Sequence, residues 1–144
     1  MKNNFNLKVL FLINLPLLVH WLTIFTLTSL PAESLPSVSL GDKIEHLIAY
    51  LVLGFFLYFN ILFQNNWSLL KRNIFLSAFL IALLYGAFDE LHQLLIPGRS
   101  AEFIDWIADV TGAIIGVTLA HTFYKSLKDT ILNFFNPKLE PLSD

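Results

Sequence analysis

The side chains able to do chemistry fall in three blocks along the chain: Asp42, Lys43, His46 and Tyr50, then Asp89, Glu90, His92 and Gln93, then Arg99 and Asp105. Two histidines among acids are the material of general acid–base work, with His46 or His92 paired to Asp89, Glu90 or Asp105. Lys43 and Arg99 are cations of the kind that hold a phosphate or carboxylate, and Asp42, Tyr50 and Gln93 would complete a binding surface around them. The i, i+4 spacing of Asp42 and His46 and the i, i+3 spacing of Asp89 and His92 also place metal-ligand types on single helical faces. A metal at His46, Asp89 and His92 is disfavoured, because zinc usually takes more nitrogen or sulfur ligands than these histidines supply. No cofactor is expected. The chain has 0 cysteines, so thiolate metal sites, disulfides and a cysteine nucleophile are excluded. Neither a Gly-x-Ser-x-Gly elbow nor a phosphate-binding Gly-rich loop occurs.

These groups can act together only if the blocks lie on helices that face one another. At about 100° per residue, Asp42, Lys43, His46 and Tyr50 fall within about 100°, with Glu45 pointing elsewhere. Asp89 and Gln93 lie about 40° apart, flanked by Glu90 and His92, with Gly86 on the same face. Asp105, Asp109, Gly112 and Gly116 fall within about 60°. Gly112-x-x-x-Gly116 reads as a packing motif, since small residues let membrane helices approach closely. Three polar faces at one depth predict an acidic pocket, with Arg99 on the connecting turn over its mouth. His20 and His121 read as incidental, and Trp67 and Trp106 as interfacial anchors.

The solvent of those helices is lipid. Of 144 residues 56% are hydrophobic and only 14% charged, too few charges to cover a soluble globule. A formal charge of −2 gives no broad basic surface, so nucleic acid is excluded as a partner. Apolar stretches near residues 9–30, 44–63, 74–95 and 103–124 each match the roughly 20 residues a helix needs to cross a bilayer. None alternates with period two, which excludes strands. Lys2 and Lys8 before the first stretch also describe a signal peptide, but the run is too long and lacks a clear cleavage site, so it is expected to stay.

The fold class expected is therefore all-α: a single-domain, integral membrane four-helix bundle spanning residues 1–144. Lys2, Lys8, Lys71, Arg72, Lys125, Lys128 and Lys138 would share one side, which places both termini in the cytoplasm and the polar pocket outside. The Pro31–Gly41 loop would then face outward. Residues 125–144 form a cytoplasmic tail, in which Leu127, Ile131, Phe134 and Phe135 suit a short helix lying on the membrane surface.

Asp42-Lys43-x-x-His46-x-x-x-Tyr50, Tyr85-Gly86-x-x-Asp89-Glu90-x-His92-Gln93, Pro97-Gly98-Arg99-Ser100 and Asp105-x-x-Ala108-Asp109-x-x-Gly112-x-x-x-Gly116 together resemble the signature of the VanZ-like membrane proteins. The resemblance covers nearly all of Gly41–Ala120, and position 109, often asparagine there, is aspartate here. It implies a small bacterial inner-membrane protein, associated through the family's namesake with teicoplanin resistance, and it supplies no settled activity. Asp42, Lys43, His46, Glu90, Gln93, Arg99 and Asp105 are carried over as signature positions without roles.

Two readings of function stay open. In one, the pocket binds or modifies an anionic envelope component, a lipid head group or a lipid-linked cell-wall precursor. In the other, the charged cluster is structural and the bundle is a scaffold or sequesters a lipid or drug. Membrane lipids are the expected surroundings, and a protein partner stays open, since a scaffold could support one. An ion path is disfavoured, because Asn60 alone cannot extend a relay through the other half of the bundle.

Overall fold

The computed structural model describes residues 6–31, 33, 41–64 and 66–135. Most of the Pro31–Gly41 loop, Lys2, and the tail beyond Phe135 lie outside the described residues. Among those residues the structure has no strand, and 4 helices are long and apolar enough to cross a membrane: α1 (Leu7–Thr28), α2 (Asp42–Phe63), α3 (Ile74–Gln93) and α4 (Phe103–Phe135). A single helical turn, Ser68–Lys71, precedes α3. Asn73 caps α3 by accepting the Leu76 N–H at 3.0 Å.

The helices run up and down, so α2 and α4 are parallel. Lys43 meets Asp105 at one end of this pair and Phe63 meets Phe135 at the other, with ring centroids 4.5 Å apart. Their contact is made by glycine. A Cβ on Gly112 would strike the Leu47 carbonyl oxygen, and one on Gly116 the Leu51 carbonyl oxygen. A Cβ on Gly54 of α2 would come within 2.6 Å of the Ala113 oxygen. In lipid, where apolar surface gains little by being covered, this close backbone approach is what holds helices together. Ala78 and Ala82 bring α3 against the pair in the same way, both at 0% exposure.

The first helix is the outlier. Only 17% of its most apolar window is buried, against 39% for α2 and for α4. Pro16 has no N–H and its ring crowds the preceding turn, and the helix widens there into a π-turn, Leu10–Asn14, closed by the Leu15 N–H donating to Leu10. Within the bundle α1 is pinned by polar contacts. His20 Nε2 lies 2.8 Å from the Ala49 oxygen, and Asn60 donates to Asn14 at 3.2 Å. Near its start, Asn6 and Lys8 donate to the Phe135 and Phe134 carbonyls, capping the end of α4 with a cation where the helix dipole is negative.

The fourth helix departs from the sequence expectation. It does not stop near Tyr124 but runs to Phe135, broken at Leu127 (φ −122°, ψ 25°). Beyond the break Ile131 is buried and Phe135 packs on Phe63, while residues 125–130 stay exposed.

Substituting Gly116→Leu or Gly112→Leu is expected to separate α2 from α4, costing at least the roughly 1–3 kcal/mol of an overpacked core. Thermal unfolding in detergent should show a lower midpoint for both, and little change for Thr118→Leu on the exposed face of α4.

Candidate functional site

Four polar segments meet at the end of the bundle where α1 and α3 finish and α2 and α4 begin. Two glycines with left-handed backbone deliver them. Gly41 (φ 83°) sits before α2 and offers its carbonyl to the Ile44 N–H at 3.0 Å, so the helix starts at Asp42. Gly98 (φ 75°) follows Pro97 at the centre of a turn closed by the Arg99 N–H on the Ile96 oxygen at 3.1 Å, the pattern of a type II turn. That turn swings Arg99 over the end of α1, where it donates to the Leu27 oxygen at 3.0 Å and to the Leu30 oxygen at 3.3 Å. Carbonyls at a helix end lack the regular helical partner, and Leu27 otherwise has the Leu30 N–H at 3.3 Å.

A half-open cavity of about 200 Å³ lies here between α1, α2 and α3. Ile24, Leu27 and Thr28 of α1 form one wall; Asp42, Glu45, His46, Ala49 and Tyr50 of α2 form another; Asp89 and Arg99 close it. Arg99 is among the lining residues, and two features differ from the sequence reading. The first helix, counted as contributing nothing, supplies a wall. Glu45 lines the cavity rather than pointing elsewhere, because the face presented there is centred on Ala49, which carries no polar signal.

Behind His46 stands Asp109, at 0% exposure, with its Oδ1 2.9 Å from His46 Nδ1. An ionised carboxylate can only accept, so the ring donates from Nδ1 and leaves Nε2 on the side of Asp42, 3.9 Å from its Oδ1. A histidine oriented by a buried carboxylate is the arrangement found behind general bases, and two such donors can equally share one metal ion. In the sequence Asp109 stands on the glycine-bearing face of α4 and in the Asp105-x-x-Ala108-Asp109 motif, without a role at the site. Its position on that face with Asp105 was the available signal.

Lys43 takes a different part from the one its type implied. Its ammonium is 2.5 Å from Asp105 Oδ1, 2.6 Å from Glu102 Oε2 and 3.4 Å from Asp42 Oδ2. It neutralises acids rather than waiting for an anion. Glu90 accepts the Glu102 N–H through Oε2 at 2.8 Å, tying the end of α3 to the start of α4 where a carboxylate suits the helix dipole. Several buried groups are left without a hydrogen-bond partner among the described residues: Tyr50 Oη, both oxygens of Asp89, Glu90 Oε1, Gln93 Nε2 and Asp109 Oδ2. Buried polar atoms in native structures rarely stay so, and these gather at one end of the bundle.

The histidines separate. His92 is stacked between Phe25 and Phe88, at 5.1 and 6.1 Å, and lies in neither of the groups able to hold a metal ion. Those groups are Asp42, His46 and Asp105, and His46, Glu90 and Asp109. The combination His46, Asp89 and His92 is thus not brought together, since His92 faces the rings of α1 and of its own helix. His20 and His121 turn out to be structural; His121 Nδ1 lies 3.0 Å from Tyr58 Oη. Trp67 is exposed as an anchor would be, whereas Trp106 reaches inward and donates to the Leu83 oxygen at 3.3 Å.

A family model described as VanZ/LLP1 matches residues 2–124, which includes every residue of the cavity. No curated protein and no solved structure matches the chain.

Removing Lys43 should expose the cost of the acids it holds. Lys43→Ala is expected to destabilise by about 1–2 kcal/mol, below the value for a fully buried pair because the lysine side chain is 42% exposed. Adding Asp105→Asn should recover part of that loss, measurable as a coupling in a double-mutant cycle of unfolding in detergent.

Proposed function

The chain belongs to the VanZ/LLP1 family, and on that premise and the geometry of its polar end we propose that it binds the polar head group of a bacterial envelope lipid or lipid-linked precursor. The observation that carries this is the cavity itself. It is half-open at the end of the bundle, apolar on the α1 side and acid-lined on the α2 side, and its depth holds Asp89 and Tyr50 with unpartnered oxygens. A lipid presents the same division, with a polar head on an apolar stem.

Size narrows the ligand. Pockets that enclose drug-sized molecules run to about 300–1,000 Å³. About 200 Å³ holds a head group and leaves the acyl or prenyl chains in the membrane, where the poorly packed α1 borders the opening. That favours a precursor or phospholipid over a sequestered glycopeptide. A link to teicoplanin tolerance would then act through the envelope component and not through capture of the drug.

The distribution of Lys and Arg supports a cavity that faces the outer leaflet of the bacterial inner membrane, with both chain ends cytoplasmic. A structural role for the cluster is favoured by one specific observation, the full engagement of Lys43 by its three acids.

The two readings part on occupancy. Native mass spectrometry of protein purified from bacterial membranes should show one retained lipid in the wild type. The lipid should be lost in Ala49→Phe, which fills the cavity, while the melting temperature holds. A wild type that carries no lipid, or an Ala49→Phe variant that carries the same one, would leave the scaffold as the function.

A further inference from the structure

The two groups of metal-ligand types share His46 but differ in what already neutralises them. In Asp42, His46 and Asp105, the ammonium of Lys43 is in place, 2.5 Å from Asp105 and 3.4 Å from Asp42. It is a resident cation. In His46, Glu90 and Asp109, no lysine or arginine among the described residues pairs with either acid. Both carboxylates are buried, at 7% and 0% exposure, and each has an oxygen with no hydrogen-bond partner, Glu90 Oε1 and Asp109 Oδ2. Two buried carboxylates beside one imidazole are short of positive charge, and burial makes that shortage costly.

The geometry fits an ion. One ligand atom from each of the three residues lies within 4.8 Å of the others. His46 Nδ1 and Asp109 Oδ1 are 2.9 Å apart, a hydrogen bond whose Nδ1 proton a bound ion would replace. Two donors bound at about 2.1 Å are separated by about 3.0 Å at 90° and about 3.4 Å at the tetrahedral angle, so a small adjustment at most turns this pair into neighbouring ligands. Glu90 is held for the task by its other oxygen, which accepts the Glu102 N–H at 2.8 Å and leaves Oε1 free. Such outer hydrogen bonds are how metal-binding carboxylates are oriented.

We propose that His46, Glu90 and Asp109 form a binding site for a divalent transition-metal ion beside the cavity. One nitrogen and two carboxylate oxygens suit Zn²⁺ or Mn²⁺ better than Ca²⁺, which takes oxygen alone. Three protein ligands leave positions for water or for an oxygen of a bound molecule. Its part toward a ligand rests on the head-group reading: with Lys43 engaged and Asp42, Glu45 and Asp89 lining the cavity, a divalent ion supplies the charge that a phosphate oxygen would need there.

The experiment uses untagged, detergent-purified protein. Elemental analysis as isolated, then calorimetric titration of the chelated protein with Zn²⁺ and with Mn²⁺, is expected to give one ion per chain. Glu90→Gln and Asp109→Asn, which keep the shape of each side chain, should each weaken binding by at least about 10–100-fold. His121→Gln, at the far end of α4, should not. Electron paramagnetic resonance of bound Mn²⁺, lost in His46→Gln, supports the assignment if either isosteric variant is too unstable to titrate. Wild type without stoichiometric binding of either ion, or equal binding by the Glu90 and Asp109 variants, overturns the proposal. Lipid retained after chelation by a protein that binds neither ion also overturns it while leaving the head-group reading intact; metal bound by a protein that retains no lipid supports the metal site and removes that reading.

Discussion

The backbones of α2 and α4 lie so close that a methyl group cannot stand between them at Gly112 or Gly116, and the placement of nearly every other feature follows from that contact. The carbonyls of Leu47 and Leu51 occupy the space where those side chains would be, which sets both the separation and the register of the two helices. His46 directly precedes Leu47, and Asp109 comes one turn before Gly112, so the register that seats Gly112 on Leu47 also brings Nδ1 to Oδ1. Lys43 meets Asp105 by the same alignment one turn further out. The glycines are therefore packing residues, as they read, and also the reason the site has a fixed geometry.

Against this tight pair, α1 is held by a few polar contacts. Arg99 covers its last carbonyls, Asn6 and Lys8 join its start to the end of α4, and the Asn14–Asn60 and His20–Ala49 contacts lie between. Its outward side is a run of exposed leucine, valine and phenylalanine, which belongs in lipid. An element with little buried apolar surface has the lowest cost of local opening. The cavity is thus bounded by α2 and α3 on its polar side and by the least packed helix on its apolar side.

Four membrane helices and a convergence of Asp89, Glu90, Asp105 and His46 could be read from the sequence, because apolar length and helical angle are local properties. What angle does not give is the neighbour. Lys43 and His46 share a face, yet one meets Asp105 and the other Asp109, a difference set by the α4 register. His92 sits near Asp89 in sequence and on the wheel, but the rings of Phe25 and Phe88 claim it. Glu45 was misplaced because its face is centred on an alanine. The continuation of α4 to Phe135 was hidden by a break at Leu127, where the polarity of Lys125 and Lys128 looked like a boundary.

Gathering Asp42, Glu45, Asp89, Glu90, Glu102, Asp105 and Asp109 at one end of a membrane bundle, against Lys43 and Arg99, runs against the cost of charge near lipid. A purely structural cluster would be expected to close its own ledger, acid for base, since an uncompensated buried carboxylate destabilises the fold that holds it. The outer part of the cluster does so: Lys43 sits among Asp42, Glu102 and Asp105. The inner part does not, because Arg99 is turned to the carbonyls of α1 and, of the basic side chains among the described residues, only His46 stands beside Glu90 and Asp109. A charge imbalance confined to the buried half, next to a cavity, is the pattern of a site whose missing partner comes from outside the chain. On the head-group reading, the same imbalance would link the acids to the cavity, because the protein's own cations, Lys43 and Arg99, are already engaged.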